Sequence, residues 1–347
     1  MKNKILVFLL FFLLSILNTA KAQDSFTFDV TEAEILDNGD TFIGSKKGIA
    51  ISDQGVSISA DNFRYDKLLN ILYANGNVVV NDTINKVKIF SNDLTYLKNE
   101  EIIFTKSRSK AIDESASIEA DKFEYKKIQN KLMALGNVNI INKIENYIIN
   151  THKITYEIFE KKYFTEGPTE AIINSKYIFD SKDVIFLEKE MRLISYNRSK
   201  IKDDKNNLYE LDEFDYLANE KILKGTNILL ITNYLKPNAD KTFFSNGIFN
   251  FNSKNFISKD TRVFLRNSLF DGERQIDDNL KDIKKNRIKK FMDENNPRIY
   301  GVSSEGDKDE TIINKAVFTS CKKNNNCPAW SINAKKITHD KIKQNIL

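Results

Sequence analysis

Ser57-Ile58-Ser59-Ala60-Asp61-Asn62-Phe63-Arg64-Tyr65 returns 60 residues later as Ser117-Ile118-Glu119-Ala120-Asp121-Lys122-Phe123-Glu124-Tyr125. Downstream, Leu72-Tyr73-Ala74-Asn75-Gly76-Asn77-Val78 maps onto Leu132-Met133-Ala134-Leu135-Gly136-Asn137-Val138, and Phe104-Thr105 maps onto Phe164-Thr165. A fixed period of this kind marks an array, in which neighbouring repeats bury a continuous apolar face and the two ends stay open. The first functional expectation is therefore an extended surface or trough, not a catalytic pocket.

The period divides into halves. Aromatic anchors fall at Tyr65, Tyr96, Tyr125, Tyr156, Phe186 and Tyr216, separated by 31, 29, 31, 30 and 30 residues. Two residues before each stands an apolar side chain: Phe63, Leu94, Phe123, Ile154, Val184 and Phe214. This alternation predicts β-strands. Each half-unit reads as a strand, a polar turn and a second strand, with Gly76, Gly136, Gly167 and Gly225 at bends or bulges. An earlier, degenerate unit is expected over Phe26 to Ile51, with turns at Asp37-Asn38-Gly39-Asp40 and Lys46-Lys47-Gly48. A later one is expected from Gly247 to Phe270. Six to eight such units, stacked at ~4.8 Å per strand, make walls roughly 30 to 40 Å long.

In the second strand of the unit Leu72, Ala74, Gly76, Val78 and Val80 share a face, repeated by Leu132, Ala134, Gly136, Val138 and Ile140. Phe63 with Tyr65, and Phe123 with Tyr125, extend that face onto the preceding strands. Two readings of these twelve apolar side chains stand side by side. Either they fill a core, or they line a trough between two sheet walls that takes acyl chains, with Ala74, Ala134, Gly76 and Gly136 leaving room.

Of the 347 residues, 53 are basic and 48 acidic. The first stretch is read as a secretory signal peptide. Lys2 and Lys4 precede an apolar run from Ile5 to Leu17, and Ala20-Lys21-Ala22 supplies a cleavage site before Gln23. Without Lys2, Lys4 and Lys21 the balance is 50 basic to 48 acidic, so nucleic acid is not an expected partner. The two cysteines, Cys321 and Cys327, read first as a disulfide in an oxidising compartment, and no metal site is expected.

Enzyme signatures are missing: no nucleophile elbow, phosphate loop, zinc-protease helix motif or dinucleotide fingerprint occurs. No catalytic residue and no cofactor is expected. His152 reads as a solvent-facing residue at a strand start and His339 as a turn residue. Asp61, Asp93, Asp121 and Asp183 form a row that a carbohydrate-active β-helix could use as acids. Their recurrence at one step of the repeat is better explained by turn chemistry. Four regions follow: signal peptide 1–22, repeat region 23–270, a charged helix or insertion 271–299, and a C-terminal β segment 300–347.

The motif Ala-Asp-x-Phe-x-Tyr followed by Leu-x-Ala-x-Gly-Asn-Val resembles the OstA-type domain of lipopolysaccharide transport proteins. Ala316-Val317-Phe318-Thr319-Ser320-Cys321 and Pro328-Ala329-Trp330-Ser331-Ile332-Asn333-Ala334-Lys335-Lys336-Ile337-Thr338-His339-Asp340 resemble the segment that leads into the outer-membrane barrel in the LptD family. The resemblance implies an all-β protein, a repetitive open β-jellyroll or β-taco, on the periplasmic face of the Gram-negative outer membrane. It implies lipopolysaccharide as cargo, handled without covalent chemistry, and Phe63, Tyr65, Leu72, Ala74, Val78, Val80, Phe123, Tyr125, Leu132, Ala134, Val138 and Ile140 as lining residues. The implied partners are a periplasmic bridge protein joined by edge-strand addition, an outer-membrane lipoprotein, and a barrel that would follow Leu347. A free-standing bridge protein of the same fold is the alternative.

Overall fold

The structure is a computed structural model and describes residues 26–113, 116–235, 239–264, 298–320, 330–340, 342 and 345–347. The signal peptide, residues 271–297 of the charged segment and the pairing of Cys321 with Cys327 lie outside them.

The described residues form 26 strands in one sheet, antiparallel throughout, with two short 3-10 turns at Asp37–Gly39 and Glu188–Glu190. The all-β array expected from the repeats is what the chain builds, in the jellyroll form that the resemblance implies. Long strands serve both walls of it. In the strand Ile71–Asp82, the first half pairs with Asn62–Asp66 and the second half pairs with Val56–Ala60. Lys131–Asn142 repeats the arrangement, pairing with Lys122–Lys126 and then with Ala116–Ala120. The sheet is thus folded along its length into two walls that meet at a spine, with hairpin turns along two opposing rims.

The spine is written in the repeat motif itself. Register slips by one residue between Asn75 and Val78, and again between Leu135 and Val138, which are bulges. Gly76 and Gly136 adopt φ of 80° and 79° there, a left-handed conformation that costs glycine little. Asp61 faces the first bulge and accepts a hydrogen bond from Asn77 Nδ2 at 2.7 Å, and Asp121 accepts the same bond from Asn137 at 2.7 Å. The Asp61 and Asp121 backbone N–H groups donate to Gly76 O and Gly136 O. Thr105 and Thr165, one period apart, accept from the N–H groups of Phe123 and Val184 at 2.9 and 2.8 Å. Each unit therefore satisfies the backbone groups that folding the sheet would otherwise strand.

Hydroxyl clusters continue this line. Ser91 bonds Ser109 at 2.8 Å, Thr169 bonds Thr165 at 2.7 Å, Ser181 meets Ser199 at 2.7 Å, and Ser258 meets Ser304 at 2.6 Å. Between spine and rims the interior is apolar. One core cluster extends from Phe26 to Phe251, and a smaller one gathers Ile299, Ile313, Ala316 and Ile337. The sheet itself is continuous across this change of core, since Phe256–Phe264 pairs with Arg298–Gly306.

Two sequence expectations are corrected. Lys46-Lys47-Gly48 is not a turn between strands but a bulge inside Thr41–Ser52, opposite the slip between Val30 and Glu32. His339 lies within the strand Ile332–Asp340, paired with Thr311, not in a turn. In both places polar side chains on a two-sided strand imitate turn composition.

Candidate functional site

All twelve residues expected to line the trough point between the walls. Phe63, Tyr65, Leu72, Ala74, Val78 and Val80 are at most 5% exposed, and so are Phe123, Tyr125, Leu132, Ala134, Val138 and Ile140. They belong to a single cluster, so the interior is a packed apolar space in this state of the protein. Small residues do not hold a lumen open: Ala74 and Ala134 are themselves covered by their neighbours. Inside the walls, a sliver of about 10 Å³ lies beside Val87, Ala111, Leu132 and Tyr156. A larger groove of about 690 Å³ lies on the outer face, against Arg192, Ile194, Tyr196, Ile248 and Ile257. An acyl chain would have to part the walls to reach the predicted lining.

What holds the walls together at their rims was not anticipated. Tyr125, on the wall of Lys122–Lys126, donates to Asp82 Oδ2 at 2.8 Å, and Asp82 ends the opposite wall's half of Ile71–Asp82. Tyr156 donates to Asp113 at 2.5 Å across the same seam. Glu188 accepts from Tyr147 at 2.8 Å and from Asn142 at 2.9 Å. Lys98 pairs with Asp53 at 2.8 Å and also with Glu101, while Lys161 pairs with Asp113 at 2.6 Å. Lys127 Nζ donates to the Gln54 carbonyl at 2.8 Å.

These contacts are partly desolvated, which strengthens each one and makes loss of a partner costly. The phenols report the same environment. Burial, then the Asp82 carboxylate, raises Tyr125 well above the ordinary phenol range; burial and then Asp113 do so for Tyr156. Burial, then Tyr163 and Glu188, raises Tyr147. The aromatic anchors were visible in the sequence, but their partners were not, because Asp82 and Tyr125 lie 43 residues apart. The recurrence of that same separation in Asp113 and Tyr156 was the available signal.

The aspartate row is not arranged for acid catalysis. Asp61 and Asp121 secure bulges, Asp93 accepts from the Lys106 N–H at 2.6 Å, and Asp183 accepts from the Gly167 N–H at 2.8 Å. All four are committed to backbone bends, in line with the turn-chemistry reading. His152 is exposed, as expected, and sits at a bulge within Tyr147–Glu157, not at the strand's start. In the C-terminal segment Glu310–Thr319 pairs with Ile332–Asp340, and Trp330 lies 5.8 Å from Phe318, ring to ring. Among the described residues no group of three or more His, Cys, Asp and Glu is suited to a metal.

No protein-family model matches the chain, and no curated protein matches it. Among solved structures it is similar to LptH of Pseudomonas aeruginosa, the LptA-homologous periplasmic component of the lipopolysaccharide transport device. That likeness covers 33% of this chain and 83% of LptH, at 18% identity and a TM-score of 0.29.

Proposed function

We propose that this protein is an exported lipopolysaccharide-transport component of the LptD type, whose jellyroll interior shields acyl chains between the inner and outer membranes. The observation that carries the reading is the unbroken apolar interior from Phe26 to Phe251, lying between two walls that share a spine and meet through polar contacts at their rims. Apolar chains gain from leaving water for such a space, while a sugar headgroup remains in solvent at the seam. Transport of this kind breaks and forms no covalent bond. The motifs shared with OstA-type domains support the cargo class, and the Ala316 to Ala334 segment supports the LptD type.

Docking to a bridge protein would use the array's edge. Among the described residues, the strand Phe26–Leu36 pairs only with Thr41–Ser52, so its other side offers backbone donors and acceptors for an added strand. At the far end, a barrel and its lipoprotein partner would receive the cargo.

The test is photocrosslinking in cells from Leu72, Val78, Leu132 and Val138, with outward Tyr73 as the control. The expected result is lipopolysaccharide adducts from the four inward positions and none from Tyr73. Absence of adducts at every inward position overturns the reading.

A further inference from the structure

The seam between the rims is closed unevenly. In the N-terminal half, Tyr65 and Tyr96 bond Asn70 and Glu101 of their own hairpins, while Tyr125 and Tyr156 meet carboxylates from the opposite rim. Asp82 takes the Tyr125 hydroxyl and Asp113 takes that of Tyr156, each pair 43 residues apart. In the next slot the anchor is Phe186, which has no hydroxyl, and Glu188 joins the walls through Asn142 and Tyr147. The slot after that holds Tyr216. Its hydroxyl is buried and has no hydrogen-bond partner among the described residues.

The sequence explains the vacancy. A step of 43 residues back from Tyr216 falls on Ile173, which ends the strand Lys162–Ile173 just as Asp82 ends Ile71–Asp82. Ile173 pairs with Tyr177, whose ring lies 6.1 Å from that of Tyr216. The slot is thus assembled in space, but an apolar residue replaces the acceptor. The rim-to-rim ion pair here, Lys254 with Asp204, spans 3.8 Å, and its side chains are 34% and 28% exposed. By contrast Lys98, which anchors the first latch to Asp53, is 5% exposed.

We propose that the seam opens first at the Tyr216 slot, and that acyl chains of an amphiphile pass laterally into or out of the interior there while the stretch from Asp53 to Glu188 stays shut. This rests on the conduit reading above. The closed state leaves the Tyr216 hydroxyl unsatisfied, and opening lets water or a polar group of the ligand reach it. At Asp82 and Asp113 the balance is reversed, because opening breaks partly buried charge-assisted hydrogen bonds. A ligand shifts a two-state element toward the state that it binds, and the shift comes most readily where closure is weakest.

Two cysteine pairs test this in a Cys321→Ser, Cys327→Ser background of the full chain: Asp204→Cys with Lys254→Cys, and Asp53→Cys with Lys98→Cys. Uptake of a pyrene-labelled fatty acid is followed by stopped-flow fluorescence with each pair bridged by a short bis-methanethiosulfonate reagent, and again after reduction. The bridge is needed because a lysine–aspartate pair lies too far apart at Cα for a direct disulfide. The expected result is uptake slowed ~10-fold or more by the 204–254 crosslink and by less than ~2-fold by the 53–98 crosslink, as for a gate located at one site. Equal effects, or none from either, overturn the proposal while uptake itself leaves the conduit reading standing. If no form takes up the probe, the conduit reading fails, and the proposal with it. Tyr216→Phe, which should fold normally, is expected to slow uptake several-fold by relieving the closed state, whereas Tyr125→Phe is expected to speed it. The opposite pair of signs also overturns the proposal.

Discussion

The hydroxyl of Tyr125 donates to Oδ2 of Asp82 at 2.8 Å, joining the two walls of the folded sheet across their rims. Asp82 also accepts from the N–H groups of Ile84 and Asn85 at 3.0 and 3.1 Å, so it organises its own hairpin turn at the same time. One carboxylate therefore couples a local turn to a contact between walls.

Removing that hydroxyl separates the two jobs. Tyr125→Phe is expected to lower unfolding stability by about 1–2 kcal/mol, with the turn intact, because Asp82 loses one partner and keeps its backbone donors. Asp82→Ala takes away the turn acceptor as well and is expected to cost ~3 kcal/mol or more. Tyr216→Phe, which deletes a hydroxyl without a partner, is expected to be neutral or slightly stabilising. Urea denaturation of the three variants checks the ranking, and a Tyr216→Phe loss equal to that of Tyr125→Phe would contradict it.

The three spine glycines are not equivalent. A Cβ at Gly76 would lie 2.5 Å from Asp61 Oδ2, and one at Gly136 would lie 2.6 Å from Asp121 Oδ2. At Gly167, where φ is 87°, nothing lies within 4 Å of the added atom. Gly167→Ala is therefore expected to cost about 1 kcal/mol for the left-handed backbone alone. Gly76→Ala and Gly136→Ala are expected to cost ~2–4 kcal/mol, since the Asp–Asn brace must also move. Thermal melts of the single variants measure the difference.

Thr165→Val keeps the shape of the spine and removes its acceptor. The Val184 N–H, bound to Thr165 Oγ1 at 2.8 Å, would be left buried without a partner, at an expected cost of ~1–3 kcal/mol. Thr105→Val should do the same through Phe123. Hydrogen exchange at the Val184 and Phe123 amides provides the site-specific readout, with protection falling in the variant and not elsewhere on the same strand.

Alkali should destabilise the protein through the interior phenols. Tyr96, Tyr125, Tyr147 and Tyr156 are all raised, by burial first and then by neighbouring carboxylates or phenols. The folded protein holds these protons more tightly than the unfolded chain does. Their contribution is complete below the unfolded phenol value of about 10 and is lost as pH rises above it. Titration is expected to show tyrosinate absorbance appearing together with loss of β-sheet circular dichroism. Full ionisation of the tyrosines before any unfolding would contradict the placement of these rings.

The repeat was legible because sheet burial has a period of two residues and stacking has a fixed period along the chain. Phe63, Leu72, Val78 and their copies had to share a face, and Gly76 with Asn77 had to mark a bend. The Asp61 to Asn77 brace was partly legible, as a recurring motif without a known partner. His339 was not legible as a strand residue, because a strand with one solvent side tolerates the same polar residues as a turn.

From the sequence alone came the array, the strand pairs, the inward face and the spine bulges at Gly76, Gly136 and Gly167, since each depends on local periodicity and on backbone preferences within a few residues. Gly225, expected at a bend or bulge, instead pairs in regular register with Phe214 and Gly247. The tertiary structure decided that the two walls close onto each other, and that Asp82, Asp113 and Glu188 join their rims while the Tyr216 hydroxyl has no partner among the described residues. Those contacts join residues 41 to 46 positions apart across a seam. Composition cannot reveal such pairings, because a carboxylate at a turn looks the same whether it faces water or a buried phenol.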